Sequence, residues 1–439
     1  MPARPAPAPQ SAPTRDRDAY FAAAYELLLA RGCEAVTVAA LCARLGVTKG
    51  SFYHHFADMP DFVAAFAERW QEWMTTRVQG YATIADPLLR MEHLQNDLPE
   101  ILVGADQAIR VWGRTDPVFA VALENVQRLV EEIAFPAIGQ ILGDRELGVL
   151  WGRMSYCVFV GLQLRMEPID PERFLMAACE ANRRIGIGCE LVRVDGRLRT
   201  KLTHGAAAEL AAHPEWRKPD LSCLLTVQPT RPSGDPTPPQ RPGPRDREAY
   251  FTAAWELLVQ RGFDAVTLVA MCDRLSVTKG SFQHHFGSMP QFIAALAEHW
   301  ERNSNVRLGG YRAQADPMVR LSRMHQQFLG GPDSAGSAWR AWGHVESVVG
   351  QALIRVDRNH LDLLSNTLAE VSGDPDLAEL LAEITLALLI GLKQPRPDVG
   401  PGEAAWMALE WARRILRVHA ELHLDRGRVV LVVRDNYRL

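Results

Sequence analysis

The chain has 439 residues, 47% of them hydrophobic and 23% charged, with a formal net charge of −4. That composition excludes a disordered chain and a membrane-embedded one, and at about 150 residues per domain it allows roughly three compact units. No apolar run approaches the roughly 20 residues of a membrane span, and the acidic balance requires any nucleic-acid footprint to be local.

The opening MPARPAPAPQSAPTR is Pro/Ala-rich, lacks the apolar stretch of a secretory signal, and reads as a disordered lead-in over residues 1–14. The cytoplasm is the expected compartment. Seven cysteines (Cys33, Cys42, Cys157, Cys179, Cys189, Cys223 and Cys272) show neither C-x-x-C pairing nor metal-ligand spacing and read as small buried hydrophobes. Neither a cofactor nor a metal is expected.

From Arg15 the sequence RDRDAYFAAAYELLLARGCEAVTVAALCARLGVTKGSFYHHFADMPDFVAAFAERW aligns without a gap on RDREAYFTAAWELLVQRGFDAVTLVAMCDRLSVTKGSFQHHFGSMPQFIAALAEHW from Arg245, with about two thirds of positions identical. The same offset of 230 residues continues through Asp86-Pro87 and Asp316-Pro317, Gly143-Asp144 and Gly373-Asp374, and Arg183-Arg184 and Arg413-Arg414. A period this long exceeds the roughly 20 to 50 residues of a solenoid unit, so a whole protein is duplicated. Between the copies a proline-rich stretch, 206–244, forbids helix interior and sheet centre alike and is expected to be a linker.

Within each copy, apolar residues three and four apart predict helices. Tyr20, Phe21, Ala24, Leu27 and Leu28 line one face of a first helix that Gly32 ends. In TVAALCARLGVTKGSFYHHF, Thr37 is a good N-cap, Leu41 and Leu45 share a face, Gly46 suits the left-handed close of a helix, and Val47 plugs the turn. Thr48 is expected to cap a second short helix with Phe52 and Phe56 inward, which leaves Lys49, Ser51, Tyr53 and His54 outward and His55 at the edge. A face with an ammonium, hydroxyls and imidazoles but no carboxylate suits a groove flanked by phosphates. The same stretch also fits two structural helices of a bundle, although the outward Lys, Ser and His-His recur in both copies while Ala43, Asp58 and Asp61 become Asp273, Ser288 and Gln291. Strand patterns appear only near the copy ends, in ELVRVDGRLRTKL, with Asp195-Gly196 as the turn, and in ELHLDRGRVVLVV. The expected class is all-α with short C-terminal hairpins.

These residues resemble the TetR/AcrR family of bacterial transcriptional regulators, whose three-helix head carries T-x8-G-V-T-x-G-x-F-Y-x-H-F ahead of a helical ligand-binding and dimerisation body. The resemblance covers 15–70 and 245–300 closely and the bodies weakly. It implies heads at 15–75 and 245–305 and effector bodies at 76–205 and 306–439. By position it makes Lys49 and Ser51 candidates for base edges and Thr37, Thr48, Tyr53 and His55 candidates for phosphates, with His54 on the same face and Gly50 letting the backbone approach DNA. The counterparts are Thr267, Thr278, Lys279, Gly280, Ser281, Gln283, His284 and His285. Where the family opens its fourth helix with Lys, this chain has Met59 and Met289, so one phosphate contact per head is missing. Ser276 replaces Gly46 at the second turn, and Gln283 replaces Tyr53, which predicts unequal operator half-sites, since glutamine can bond adenine.

Two heads in one chain point to an intramolecular pseudo-dimer on a near-palindromic DNA operator, with dimers of chains or two independent beads as alternatives. For a small apolar or amphipathic effector the candidate lining is Met91, Trp112, Trp151, Met154 and Phe159 in the first copy and Met324, Trp339 and Trp342 in the second. Arg110-Val-Trp112 and Arg340-Ala-Trp342 are expected at the start of core-lining helices, where a tryptophan and an arginine paired with an acid form plain core or, less simply, a ligand contact. No G-x-S-x-G, Walker A, H-E-x-x-H or G-x-G-x-x-G is present, and catalysis is not expected. A sequence-specific transcriptional regulator, released from DNA by a ligand, is the function these readings favour. The alternative is a ligand-sequestering or protein-interaction module whose heads have lost DNA binding.

Overall fold

The computed structural model of the protein describes residues 16–102, 105–204, 246–325, 334–394, 401–425 and 428–436. The expected lead-in at 1–14 and linker at 206–244 lie outside them. The first copy runs α1 (Arg17–Arg31), α2 (Val38–Leu45), α3 (Lys49–His55), α4 (Met59–Ala82), α5 (Pro87–Leu102), α6 (Ala105–Trp112), α7 (Pro117–Leu142), α8 (Arg145–Leu164), α9 (Pro171–Arg184), then β1 (Gly188–Val194) and β2 (Arg197–Thr203). The second copy repeats the order as α10 (Arg247–Arg261), α11 (Leu268–Leu275), α12 (Lys279–Phe286), α13 (Met289–Arg312), α14 (Pro317–His325), α15 (Ser334–Gly343), α16 (Ser347–Ser372), α17 (Pro375–Leu392), α18 (Pro401–Glu410), a π-helical turn at Trp411–Ile415, β3 (Val418–Asp425) and β4 (Arg428–Asn436).

The repeated sequence signals mark element ends. Asp144 and Asp374 cap α8 and α17 by accepting from Leu147 N and Leu377 N, each just after a glycine at positive φ, 70° at Gly143 and 75° at Gly373. Asp86 and Asp316 accept from Leu88 N and Met318 N at the starts of α5 and α14. The strands pair only locally: β1 and β2 are antiparallel with Val194 opposite Arg197, and both turn residues, Asp195 (φ 51°) and Gly196 (φ 77°), are left-handed, as a two-residue hairpin turn requires. β3 and β4 form the second hairpin.

The described residues divide into two compact units, those within 1–80 and 103–129, and those within 81–102 and 130–439. The first is built on one core of Tyr20, Phe21, Phe52, Phe56, Phe62, Phe66, Ile109 and Phe119. The second contains the counterpart head, packed on Tyr250, Phe282, Phe286, Phe292 and Trp339, and a larger core shared by α8, α9, α17 and α18. α8 is the one described helix long and apolar enough to cross a membrane, and 67% of its apolar window is buried inside this unit, as befits a core helix.

Within the second unit α8 and α17, counterpart helices, pack on one another. A Cβ on Gly161 would stand 1.8 Å from Ala387 O, and one on Gly391 would stand 1.9 Å from Cys157 O. Positions 157 and 387, like 161 and 391, are related by the repeat offset, so the two contacts are equivalent by a local pseudo-twofold. Glycine at both places is what lets the two backbones touch.

Candidate nucleic-acid interface

In the first head Thr37 sits in extended backbone and accepts from Ala40 N at 3.2 Å, starting α2. Gly46, at φ 65° and ψ 33°, closes the helix, and Val47 N returns to Cys42 O at 3.0 Å. Cys42 Sγ donates to Thr48 O at 3.5 Å, tying the start of α3 back to α2. The second head repeats this with Thr267 accepting from Ala270 N and with Ser276 held at φ 54° and ψ 44°. Asp58 accepts from Asp61 N at 2.8 Å while Asp61 accepts from Ala57 N at 2.9 Å, a reciprocal cap that aims α4. In the second head Ser288 takes this place, accepting from Gln291 N at 3.4 Å.

Phe52 and Phe56 are buried against Phe62 and Tyr20, and so are Phe282 and Phe286 against Phe292 and Tyr250. The opposite face of α3 exposes Thr48, Lys49, Gly50, Tyr53 and His54, with Tyr53 55% exposed. On α12 the same face exposes Thr278, Lys279, Gly280, Gln283 and His284. A Cβ on Gly50 or Gly280 would meet only a threonine Oγ1, at 3.6 Å, an ordinary contact. Nothing inside the head therefore requires a glycine that costs a helix about 0.5–1 kcal/mol relative to alanine. Its use is outward, as clearance for another molecule.

Two expectations change. Ser51 and Ser281 do not face outward: each is half-buried and accepts from a tyrosine hydroxyl of the first helix, Tyr20 at 3.0 Å and Tyr250 at 2.9 Å. Short side chains next to the inward aromatic row lie within reach of the buried tyrosine, and bonding satisfies both hydroxyls. His55 and His285 sit at the edge, with ring centroids 5.6 and 5.7 Å from the same tyrosines. Secondly, Thr48 stands at the N-cap of α3 without a side-chain cap bond, whereas Thr278 accepts from Ser281 N at 3.3 Å.

The sequence reading also missed residues. Exposed Arg17 and Arg247 lie over Phe56 and Phe286, 4.8 Å from each ring centroid, and hold a cation beside the end of each recognition helix. The repetition of an arginine, an acid, an alanine and a tyrosine at both copy starts, Arg17–Tyr20 and Arg247–Tyr250, was the available signal. Met59 and Met289, in the place of the family's lysine, are half-buried against the head cores.

The effector candidates separate. Trp151, Met154 and Met324 are buried in the body core, with Met91 and Phe159 packed against it. Trp112, Trp339 and Trp342 are not there. Trp112 and Trp342 lie at the C-terminal ends of α6 and α15, not at helix starts, with Trp339 mid-helix, and all three pack within the heads: Trp112 stacks on Phe119 at 4.6 Å, and the Trp339 ring centroid lies within 5.5 Å of those of Trp255, Trp300 and Trp342. The reason is amphipathicity, since each of these helices turns its apolar face onto the first helix of its own copy. Arg340 makes the anticipated arginine–acid pair, bidentate to Asp357 at 2.6 and 2.8 Å.

Two helix-turn-helix heads on helical bodies define a tandem DNA-binding protein of the helix-turn-helix class. Residues 21–66 and again 251–296 match the bacterial regulatory proteins of the tetR family, and the chain is a TetR-family DNA-binding regulator with two tandem units. Among solved structures it is similar to a transcriptional regulator from Rhodococcus sp. Rha1, at 18% identity and a TM-score of 0.34 over 39% of this chain and 96% of that one. No curated protein matches it.

Proposed function

We propose that this regulator is a repressor that binds a near-palindromic operator as a single-chain pseudo-dimer and is released by a small apolar or amphipathic effector. Its heads span 15–75 and 245–305, its bodies 76–205 and 306–439, and it acts in the cytoplasm. Lys49 and Lys279 read base edges. Tyr53, His54, His55, Thr37 and Thr48, with Thr267, Thr278, His284 and His285, meet the phosphate backbone, and Arg17 and Arg247 add a cation at each edge. Ser51 and Ser281 hold the recognition helix on Tyr20 and Tyr250 and leave the reading to their neighbours. One observation carries this reading: both helices expose the same Lys-Gly face, bare of carboxylates, around a glycine that the head itself does not need.

The test is selection of bound sequences from random DNA at low salt. The wild-type protein is expected to enrich a two-part site, and Lys49→Ala combined with Lys279→Ala is expected to abolish enrichment. Enrichment that survives the double variant removes α3 and α12 as the reading helices. No enrichment by the wild type favours an interaction or ligand-sequestering module. Gln283 can bond adenine N6 and N7, whereas Tyr53 suits a phosphate, so the two half-sites should differ and Gln283→Tyr should make them alike.

A further inference from the structure

Two sets of ion pairs flank the crossing of α8 and α17. Arg153 of α8 pairs with Glu403 of α18. Arg173 of α9 pairs with Glu383 of α17, Nε to Oε2 at 2.7 Å, and with Glu379 at 3.1 Å. The repeat offset carries Arg153 onto Glu383 and Arg173 onto Glu403, so these pairs occupy the same two positions on opposite sides of the pseudo-twofold. The first copy has arginine at both positions and the second has glutamate at both. Their side chains are largely withdrawn from solvent, with exposures of 22% and 21% for Arg153 and Glu403 and 35% and 18% for Arg173 and Glu383.

The consequence concerns which surfaces can pair. Two first-copy bodies joined with this geometry would set Arg153 against Arg173 twice. Two second-copy bodies would set Glu383 against Glu403 twice. Like charges at such partly buried positions are poorly screened and have no partner to offset their desolvation. The glycine crossing itself does not discriminate, because Gly161 and Gly391 are the same in both copies.

We infer that the body interface is charge-coded for unlike pairing: the first-copy body presents a surface whose partner is the second-copy body, and it rejects a second copy of itself. Exclusion of the wrong partner comes from the repulsive element as much as from the attractive one. This deepens the pseudo-dimer reading and rests on it. Once duplication had joined two self-pairing bodies, opposite charges at two positions were enough to direct each toward the other.

The experiment uses the full chain, in a Glu379→Val background that matches Val149 of the first copy and removes the accessory carboxylate. Arg153→Glu with Arg173→Glu makes all four positions acidic, Glu383→Arg with Glu403→Arg makes all four basic, and the four changes together invert the code. Each half-swap is expected to lower Tm by about 4 °C or more, with most of the loss persisting in about 1 M salt. The full inversion is expected to recover most of that loss. Half-swaps that leave Tm in place, or an inversion no better than the half-swaps, would overturn the charge code. Solution mass, measured alongside, tests the other reading separately: a wild-type particle of two chains removes the single-chain pseudo-dimer, while the charge cycle still decides whether unlike bodies pair.

Discussion

Ser276 shows how much a single position can tolerate. It occupies the left-handed conformation (φ 54°) that Gly46 adopts at φ 65° in the other head, with the same backbone bonds to residues three and four earlier. A residue with a Cβ is strained there by about 1–2 kcal/mol. Ser276→Gly should therefore raise the stability of the second unit by up to about 1 kcal/mol, less whatever the added freedom of the unfolded chain takes back. Gly46→Ser should lower that of the first unit by a similar amount. Denaturant midpoints of the two variants check both signs, and a loss of stability in Ser276→Gly contradicts the strain. The turn was readable from sequence because its determinants are local, a glycine five residues after Leu41 and a threonine two residues further on. The inward turn of Ser51 was not, since its partner Tyr20 lies 31 residues away.

At the scale of elements, the changes of Asp58 and Asp61 to Ser288 and Gln291 look independent in sequence but are one event in structure. Both pairs cap the helix that follows the recognition helix, so the second head keeps the cap and sheds two carboxylates. Negative charge at a helix N-terminus stabilises the helix by about 0.3–1 kcal/mol, but it would repel the phosphates of DNA bound, as proposed, at the neighbouring α3. Transplanting the second head's cap, Asp58→Ser with Asp61→Gln, should tighten DNA binding by a few-fold at low salt, with the gain fading as salt rises and little change in Tm. Titrations at two salt concentrations read this directly, and unchanged affinity at low salt would place the cap away from the DNA. The hairpin at Asp195-Gly196 and the helical periods were legible for the same local reasons. The placing of Trp112 and Trp339 was not, because the apolar face of a helix records burial without naming what buries it. The pairing of Arg153 with Glu403 was hidden for a further reason: the two residues are 250 apart, and their meaning appears only when the repeat offset is laid over the fold.

Across the whole molecule the two units differ in what acid does to them. Among the described residues the second contains three shielded histidines. His325 is fully buried, with Nδ1 at 2.9 Å from Leu321 O, and burial pushes its pKa down to about 4. Burial does the same to His344, also to about 4, against the opposing pull of its bond to Leu164 O. His360 is lowered by burial too, despite nearby Asp357. In the unfolded chain each returns to an ordinary value near 6.5, so between about pH 6.5 and 4 the unfolded state binds more protons than the folded one. Stability therefore falls as pH drops through that window, and a shift of the size seen at His325 corresponds to a loss on the order of 3 kcal/mol at its lower end. The first copy has Gln95 at the position of His325, where it bonds Thr200 Oγ1 at 2.9 Å and accepts from Asn182 at 2.7 Å, but the second copy has Val430 and Ala412 at those two positions and offers an amide neither partner. Calorimetry of the wild-type protein between pH 7 and 4.5 should show the unfolding of the second unit moving to lower temperature. His325→Gln should flatten that dependence, at a cost on the order of 1–3 kcal/mol at every pH for a buried amide left without those partners. A variant that keeps the full acid sensitivity would mean that the proton uptake occurs elsewhere in the chain.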